Sequence, residues 1–250
     1  MMLIGTVASL VGIAISLWID WFPVQGSEAA ADVDLLYDIL LVVSVPIFVL
    51  VMSVVLYSVW KFRARPGDDG DGAPIHGNAR LEVIWVAVPF IIVAVLGGYS
   101  WIVLRDIERL EPNPLRVGVV GQQFAWTFDY RDAQGKRVRS EELMLPVGRQ
   151  VEFKIRAADV LHSFWIPAFR LKSDAVPGIE TNWVATPSRE GSYDVVCAEL
   201  CGIGHATMRQ KVTVVSEERF TAWLAKEAGG RATARGGGAL AAAAGNDGGG

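Results

Sequence analysis

Three long apolar runs lead into a region of short alternating segments. Residues 39–60, from Ile39 to Trp60, and 83–104, from Val83 to Leu104, carry no charge. Each has about the 20 residues a helix needs to cross a bilayer core. Pro46 and Pro89 lie inside them, which membrane helices tolerate. Trp60 and Trp101 sit near run ends, where aromatic rings favour the lipid–water interface. The pattern predicts a transmembrane hairpin over 32–108, with helices at about 36–61 and 82–105. Two buried helices of a soluble protein are the weaker reading.

An earlier uncharged run, residues 3–19, fits two readings of segment 1–31: a signal peptide or an additional membrane anchor. Its N-terminal flank has no Lys or Arg, and Ala29-Ala30-Ala31 offers a small-residue cleavage site beyond it. The loop between the hairpin helices carries Lys61, Arg63, Arg65 and Arg80 around a Gly/Asp-rich turn. Basic residues in short loops mark the cytoplasmic side. Everything after Leu104 is therefore expected outside.

From residue 115 the period changes. Val151/Phe153/Ile155 alternate with Glu152/Lys154/Arg156, the pattern of a half-buried strand. Leu115–Val120, Phe124–Tyr130, Thr181–Ala185, Tyr193–Val196 and Lys211–Val215 read as further strands, with turns such as Pro146-Val-Gly148 between them. Such a region predicts a β-sandwich within an outer domain over 109–228. Ser216 is placed to cap a closing helix over 217–228. Residues 229–250 are Gly/Ala-rich and read as a disordered tail.

The composition, 52% hydrophobic and 20% charged, is too apolar for an ordinary soluble domain. A net charge of −4 and the absence of a basic cluster argue against nucleic acid as a partner. Two cysteines rule out a disulfide scaffold.

Both cysteines fall in Cys197-Ala-Glu-Leu-Cys201-Gly-Ile-Gly-His205-Ala-Thr-Met208. Thiolate, imidazole and thioether are the ligand set of copper electron-transfer sites. The spacing matches no usual zinc pattern. A Cys197–Cys201 disulfide is the plain alternative, and it leaves His205 and Met208 unexplained. Of the other two histidines, His76 lies in the cytoplasmic loop, so elimination points to His162 as the distant ligand. A blue-copper site uses one Cys; the spare thiolate here argues for two bridged metal ions.

The cysteine loop and the Asp159-Val-Leu-His162-Ser-Phe-Trp165 segment together resemble subunit II of the haem-copper cytochrome c oxidases, over roughly residues 30–228. The resemblance implies a transmembrane α-helical hairpin plus an all-β cupredoxin-like Greek-key sandwich. It implies a binuclear copper centre, CuA, bridged by Cys197 and Cys201. His162 and Met208 would complete one copper, His205 and the backbone carbonyl of Glu199 the other. The Glu199 side chain would reach toward a magnesium site shared with subunit I.

The implied function is subunit II of an aerobic respiratory terminal oxidase, in the plasma membrane of a bacterium with the copper domain outside. CuA would take electrons from cytochrome c and pass them to the haem centres of subunit I. There O2 is reduced to water with proton pumping; subunit III and membrane lipid are further implied partners. The competing reading is a membrane-anchored copper chaperone or storage module.

Glu82 resembles the family glutamate at the mouth of a proton pathway; a solvated interfacial acid is its bland reading. Gly121-Gln-Gln-Phe-Ala-Trp126 resembles the family's aromatic electron-entry run, with Phe124 where a tryptophan is usual. Phe124 and Trp126 are both entry candidates. Residues 105–228 hold 17 Lys+Arg and 17 Asp+Glu, so attraction of a basic cytochrome must be local. Asp159, Asp129, Asp132, Glu141 and Glu142 are the candidates.

Overall fold

The computed structural model describes residues 2–229 apart from positions 65, 68, 69, 71, 73 and 75. Of the tail expected to be disordered, 229–250, all but Gly229 lies outside them, and Gly229 is helical. The chain divides into two compact units, one of residues 1–21 and 32–106, the other of residues 22–31 and 107–250.

The first unit is helical: α1 (Met2–Trp18), α2 (Ala29–Phe62) and α3 (Ala79–Ile107). The apolar windows of α2 and α3 have mean hydropathies of 3.1 and 2.3, and none of their residues is buried. Side chains such as Leu50, at 65% exposure, and Phe90, at 71%, face outward, as those of a membrane-spanning helix do. Pro46 and Pro89 sit inside the helices without ending them. Gly12 brings α1 against α2, since a Cβ there would lie 2.8 Å from Val45 Cγ1. Asn78 caps α3 by accepting hydrogen bonds from the amides of Arg80 and Leu81. Glu82 returns the favour, accepting from the Asn78 amide at 3.1 Å.

The second unit contains a sandwich of two five-stranded sheets. One sheet holds β1 (Leu115–Gln122), β2 (Ala125–Arg131), β3 (Arg137–Ser140), β5 (Val151–Ala157) and β8 (Thr181–Ala185), in the order β3-β2-β1-β5-β8. The other holds β4 (Leu143–Pro146), β6 (His162–Ile166), β7 (Leu171–Ala175), β9 (Gly191–Cys197) and β10 (Arg209–Val215), in the order β4-β10-β9-β6-β7. The pairs β1–β5 and β4–β10 are parallel, the rest antiparallel.

Alternation fills the space between the sheets. Trp126, Phe128 and Tyr130 point inward from β2, and Val151, Phe153 and Ile155 from β5. Their rings gather on Phe164 of β6, with centroids 5.2 Å from Trp126, 5.8 Å from Phe153 and 6.4 Å from Phe128. Such edge-on contacts add to the burial each ring contributes. The closing helix α4 (217–229) is capped by Ser216 and buries Phe220 against Tyr130.

Candidate metal centre

Two neighbouring strand ends and one loop build the centre. β9 ends at Cys197, β10 begins just after Met208, and the loop between them closes where the Cys197 amide donates to the Met208 carbonyl at 3.1 Å. β6 pairs with β9, placing Phe164 opposite Cys197, so His162 at the start of β6 stands beside the loop's mouth. The distant ligand is thus delivered by sheet register.

Five side chains and one carbonyl converge there. Cys197 Sγ lies 3.9 Å from His162 Nδ1, 3.9 Å from Cys201 Sγ and 3.3 Å from the Glu199 carbonyl oxygen. Cys201 Sγ lies 3.7 Å from His205 Nδ1 and 3.8 Å from Met208 Sδ. The two sulfurs stand apart and unbonded in this structure. His162, Cys197, Cys201 and Met208 are buried, and His205 is half-buried. Burial, and next the neighbouring Cys197, push the Cys201 thiol up to about 11. Capture of a metal at neutral pH would therefore release its proton. Soft sulfur and imidazole donors in one buried cluster fit copper. His76 lies between α2 and α3, in the other unit.

The surroundings fix the ligands. The Asp159 carboxylate accepts a hydrogen bond from His162 Nε2 at 2.8 Å, which leaves Nδ1 facing the thiols. The same carboxylate accepts from the amides of Gln123 and Val160. Burial raises the Asp159 pKa, but those amides and His162 outweigh it and hold the group below the usual carboxylate range. Losing such a partner typically costs a metal site ~10–100-fold in affinity. Asp159→Asn is expected to weaken copper binding by about that factor, measured by chelator competition on the full chain; unchanged affinity would mean that other contacts orient His162.

Gln123 ties the same carboxylate to the loop, since its Nε2 donates to the Cys201 carbonyl at 2.6 Å. The half-buried ring of Phe124 lies over Gly202 and Gly204; a Cβ on Gly204 would fall 2.5 Å from it. Trp126 is fully buried, its ring edge-on to His162 at 5.8 Å. Of the two aromatic entry candidates, only Phe124 reaches the surface.

The acidic candidates are placed unequally. Asp129 is held by Arg137 and Arg139. Asp132 accepts from the amides of Gln134 and Lys136 in its own turn, and Asp159 is turned to His162. Glu141 and Glu142 are exposed. Sequence reasoning passed over Gln123 and two apolar loop residues, Leu200 at 76% and Ile203 at 103% exposure. Their signal was present: large aliphatics between the ligands, with no partner position in the strand pattern.

The family model for the transmembrane domain of cytochrome C oxidase subunit II matches residues 13–103, and that for its periplasmic domain matches residues 136–215. Cytochrome c oxidase subunit 2 of Thermostichus vulcanus is 34% identical over 273 residues, covering 86% of this chain and 82% of that protein. The chain belongs to the cytochrome c oxidase subunit II family. The Synechocystis subunit 2 is 31% identical over 278 residues, covering 90% of this chain and 83% of its own length. Among solved structures, the periplasmic domain of subunit II of cytochrome oxidase from Bradyrhizobium japonicum is 27% identical. It aligns with a TM-score of 0.44, over 47% of this chain and 96% of that one. Membership of this family, with α2 and α3 as its apolar helices, makes the chain a membrane protein and one subunit of an oxidase complex.

Proposed function

We infer that this chain is the electron-entry subunit of a respiratory terminal oxidase of the bacterial plasma membrane, its β unit on the outer face. It takes electrons from a cytochrome c and passes them to the haem centres of subunit I for reduction of O2 to water with proton pumping. The observation that carries this reading is the convergence of His162, Cys197, Glu199, Cys201, His205 and Met208 on one point of the sandwich. Cys197 and Cys201 would bridge two coppers. His162 and Met208 would complete one, and His205 with the Glu199 carbonyl the other.

Bound there, thiolate-bridged copper supplies a one-electron carrier whose bonds change little between oxidation states. The chain's own contribution is rigidity. The backbone closure of the loop, the Asp159–His162 hydrogen bond and the Trp126 edge hold the donors where they stand. Burial of both thiols and of Met208, with 0–4% exposure, supports a resident metal over the exchangeable, exposed ligands a copper chaperone needs. The Glu199 side chain is half-buried and is assigned to a magnesium site shared with subunit I. The test is copper content with the paramagnetic spectrum of the purified subunit. Two coppers sharing one unpaired electron give a seven-line hyperfine pattern; one copper with four lines would refute the centre.

Docking follows from the same surface. Phe124 covers the loop, Leu200 and Ile203 project beside it, and three of the five candidate acids are already engaged. We assign contact with the donor to this apolar rim, with Glu141 and Glu142 as the acids left to steer. Phe124→Ala is expected to slow electron entry about tenfold or more, from a loss of roughly 1.4 kcal/mol of contact, while Phe124→Trp preserves it. Stopped-flow reduction by cytochrome c reads both; equal rates for Phe124→Ala and the native subunit would move entry elsewhere.

Glu82, exposed in the first turn of α3, is assigned as the acid at a proton entry. Because it also caps the helix through Asn78, Glu82→Gln retains an acceptor for that amide while removing the titratable group. Turnover and proton uptake are expected to fall together in the assembled oxidase, and uptake at the native rate would end the assignment.

A further inference from the structure

Residues 22–31 lead into and include the first turn of α2, yet they belong to the β unit. The Gly26 amide donates to the Ala168 carbonyl at 2.8 Å, and the Gly26 carbonyl accepts from the Ser188 amide at 3.0 Å. Ser27 pairs with Pro187 as an antiparallel bridge, and the Glu28 amide donates to the Thr186 carbonyl at 3.0 Å. The Ser27 hydroxyl donates to the Phe169 carbonyl at 2.9 Å over a sequence separation of 142 residues. Ala168 and Phe169 lie just beyond β6 in one sheet, and Thr186 to Ser188 just beyond β8 in the other. The segment therefore straps the two sheets together.

Side chains fit it as closely as the backbone does. Gly26 leaves room for nothing larger: a Cβ would lie 3.0 Å from the Phe169 ring and 3.2 Å from the Tyr193 ring. The Arg170 guanidinium donates to the Pro23 carbonyl at 2.9 Å and sits 4.8 Å over the Phe22 ring. Ser27 is 3% exposed and Ala30 is fully buried.

This bears on maturation. A leader-removing protease cuts after an apolar run at a small-x-small signature. Beyond α1 the chain offers two, Ser27-Glu28-Ala29 and Ala29-Ala30-Ala31. A cut at either would detach Gly26 and Ser27. The Thr186 carbonyl and the Ser188 amide would lose their partners, and so would the carbonyls of the buried residues Ala168 and Phe169; buried polar groups are rarely left unpaired. The ring wall of Phe169 and Tyr193 would be uncovered as well.

We propose that residues 22–31 are a resident strap of the β-sandwich, so that the mature subunit begins at or before Phe22 and neither alanine site is used. The proposal rests on the sandwich contacts alone and stands apart from the copper assignment.

N-terminal sequencing and intact mass of the subunit purified from membranes test it. A first residue at or before position 22 is the expected result; a first residue at 30 or 32 would overturn the proposal. In the full chain, Gly26→Val is expected to lower the thermal midpoint of the β unit by about 5 °C or more, and Ser27→Ala by less in the same direction. Midpoints unmoved in both variants would show that the strap is dispensable and overturn it equally.

Discussion

Replacing Cys201 with serine is expected to abolish the paired-copper signature and to cut turnover with cytochrome c more than a hundredfold. Cys201 is the hub of the cluster: its sulfur lies within 3.7–3.9 Å of Cys197 Sγ, His205 Nδ1 and Met208 Sδ. A serine oxygen in its place is a hard, poorly matched donor for copper. Losing an outer partner of a ligand already costs ~10–100-fold, so losing a bridging ligand costs more. Spectra and copper content of the full subunit measure the effect. A seven-line pattern surviving in the serine variant would mean that Cys201 does not bridge.

The second large effect is expected at Trp126. This ring is fully buried, packs edge-on to Phe164 at 5.2 Å and His162 at 5.8 Å, and faces Gly121, where a Cβ would lie 2.8 Å from it. Truncating such an aromatic to alanine costs about 3–5 kcal/mol. At roughly 3–6 °C per kcal/mol for a domain of this size, the thermal midpoint of the β unit should fall by about 10–30 °C. Copper affinity should fall with it, because the void opens beside His162. Trp126→Phe is the informative companion. The indole N–H has no hydrogen-bond partner among the described residues, so phenylalanine removes an unpaired polar group and should cost much less. A midpoint for Trp126→Ala within about 3 °C of the native value would place the ring outside the stabilising core.

Legibility in the sequence followed physical exposure of the signal. β5 alternates charged and apolar residues because one face meets the core, and its period can be read directly. β6 is buried at four of its five positions, so His162-Ser-Phe-Trp-Ile166 shows no alternation, and the sequence reading treated it only as a histidine segment. β3 turns just Val138 and Ser140 inward, and β4 is four residues ending in proline; neither is long enough to declare a period. α2 begins earlier than its uncharged run because three alanines open it and Asp32 suits its first turn, whereas a search for charge-free stretches cuts off at Asp32, Asp34 and Asp38.

The metal cluster was legible for a different reason. Cysteine, histidine and methionine are rare in this chain, and their spacing concentrates them. What surrounds the ligands uses common residue types, so it was hidden. Asp159 reads in sequence as a surface acid near a ligand; only three-dimensional placement turns its carboxylate to His162 and the Gln123 amide. The strap at residues 22–31 was hidden for the opposite reason: its small residues imitate a cleavage signal, whereas the fold selects them for close approach of backbones.

The hydrogen bond from the Cys197 amide to the Met208 carbonyl has a consequence for the order of assembly. The loop is pinned at its base by peptide groups of two paired strands, and those strands are held by a core of aromatic rings. Neither restraint asks anything of the sulfur atoms. Folding of the β unit therefore makes no demand on a metal, and the donor positions follow from peptide groups and core packing. Were copper to bind here, metallation would be a final, separable step on a receptacle that has already taken shape.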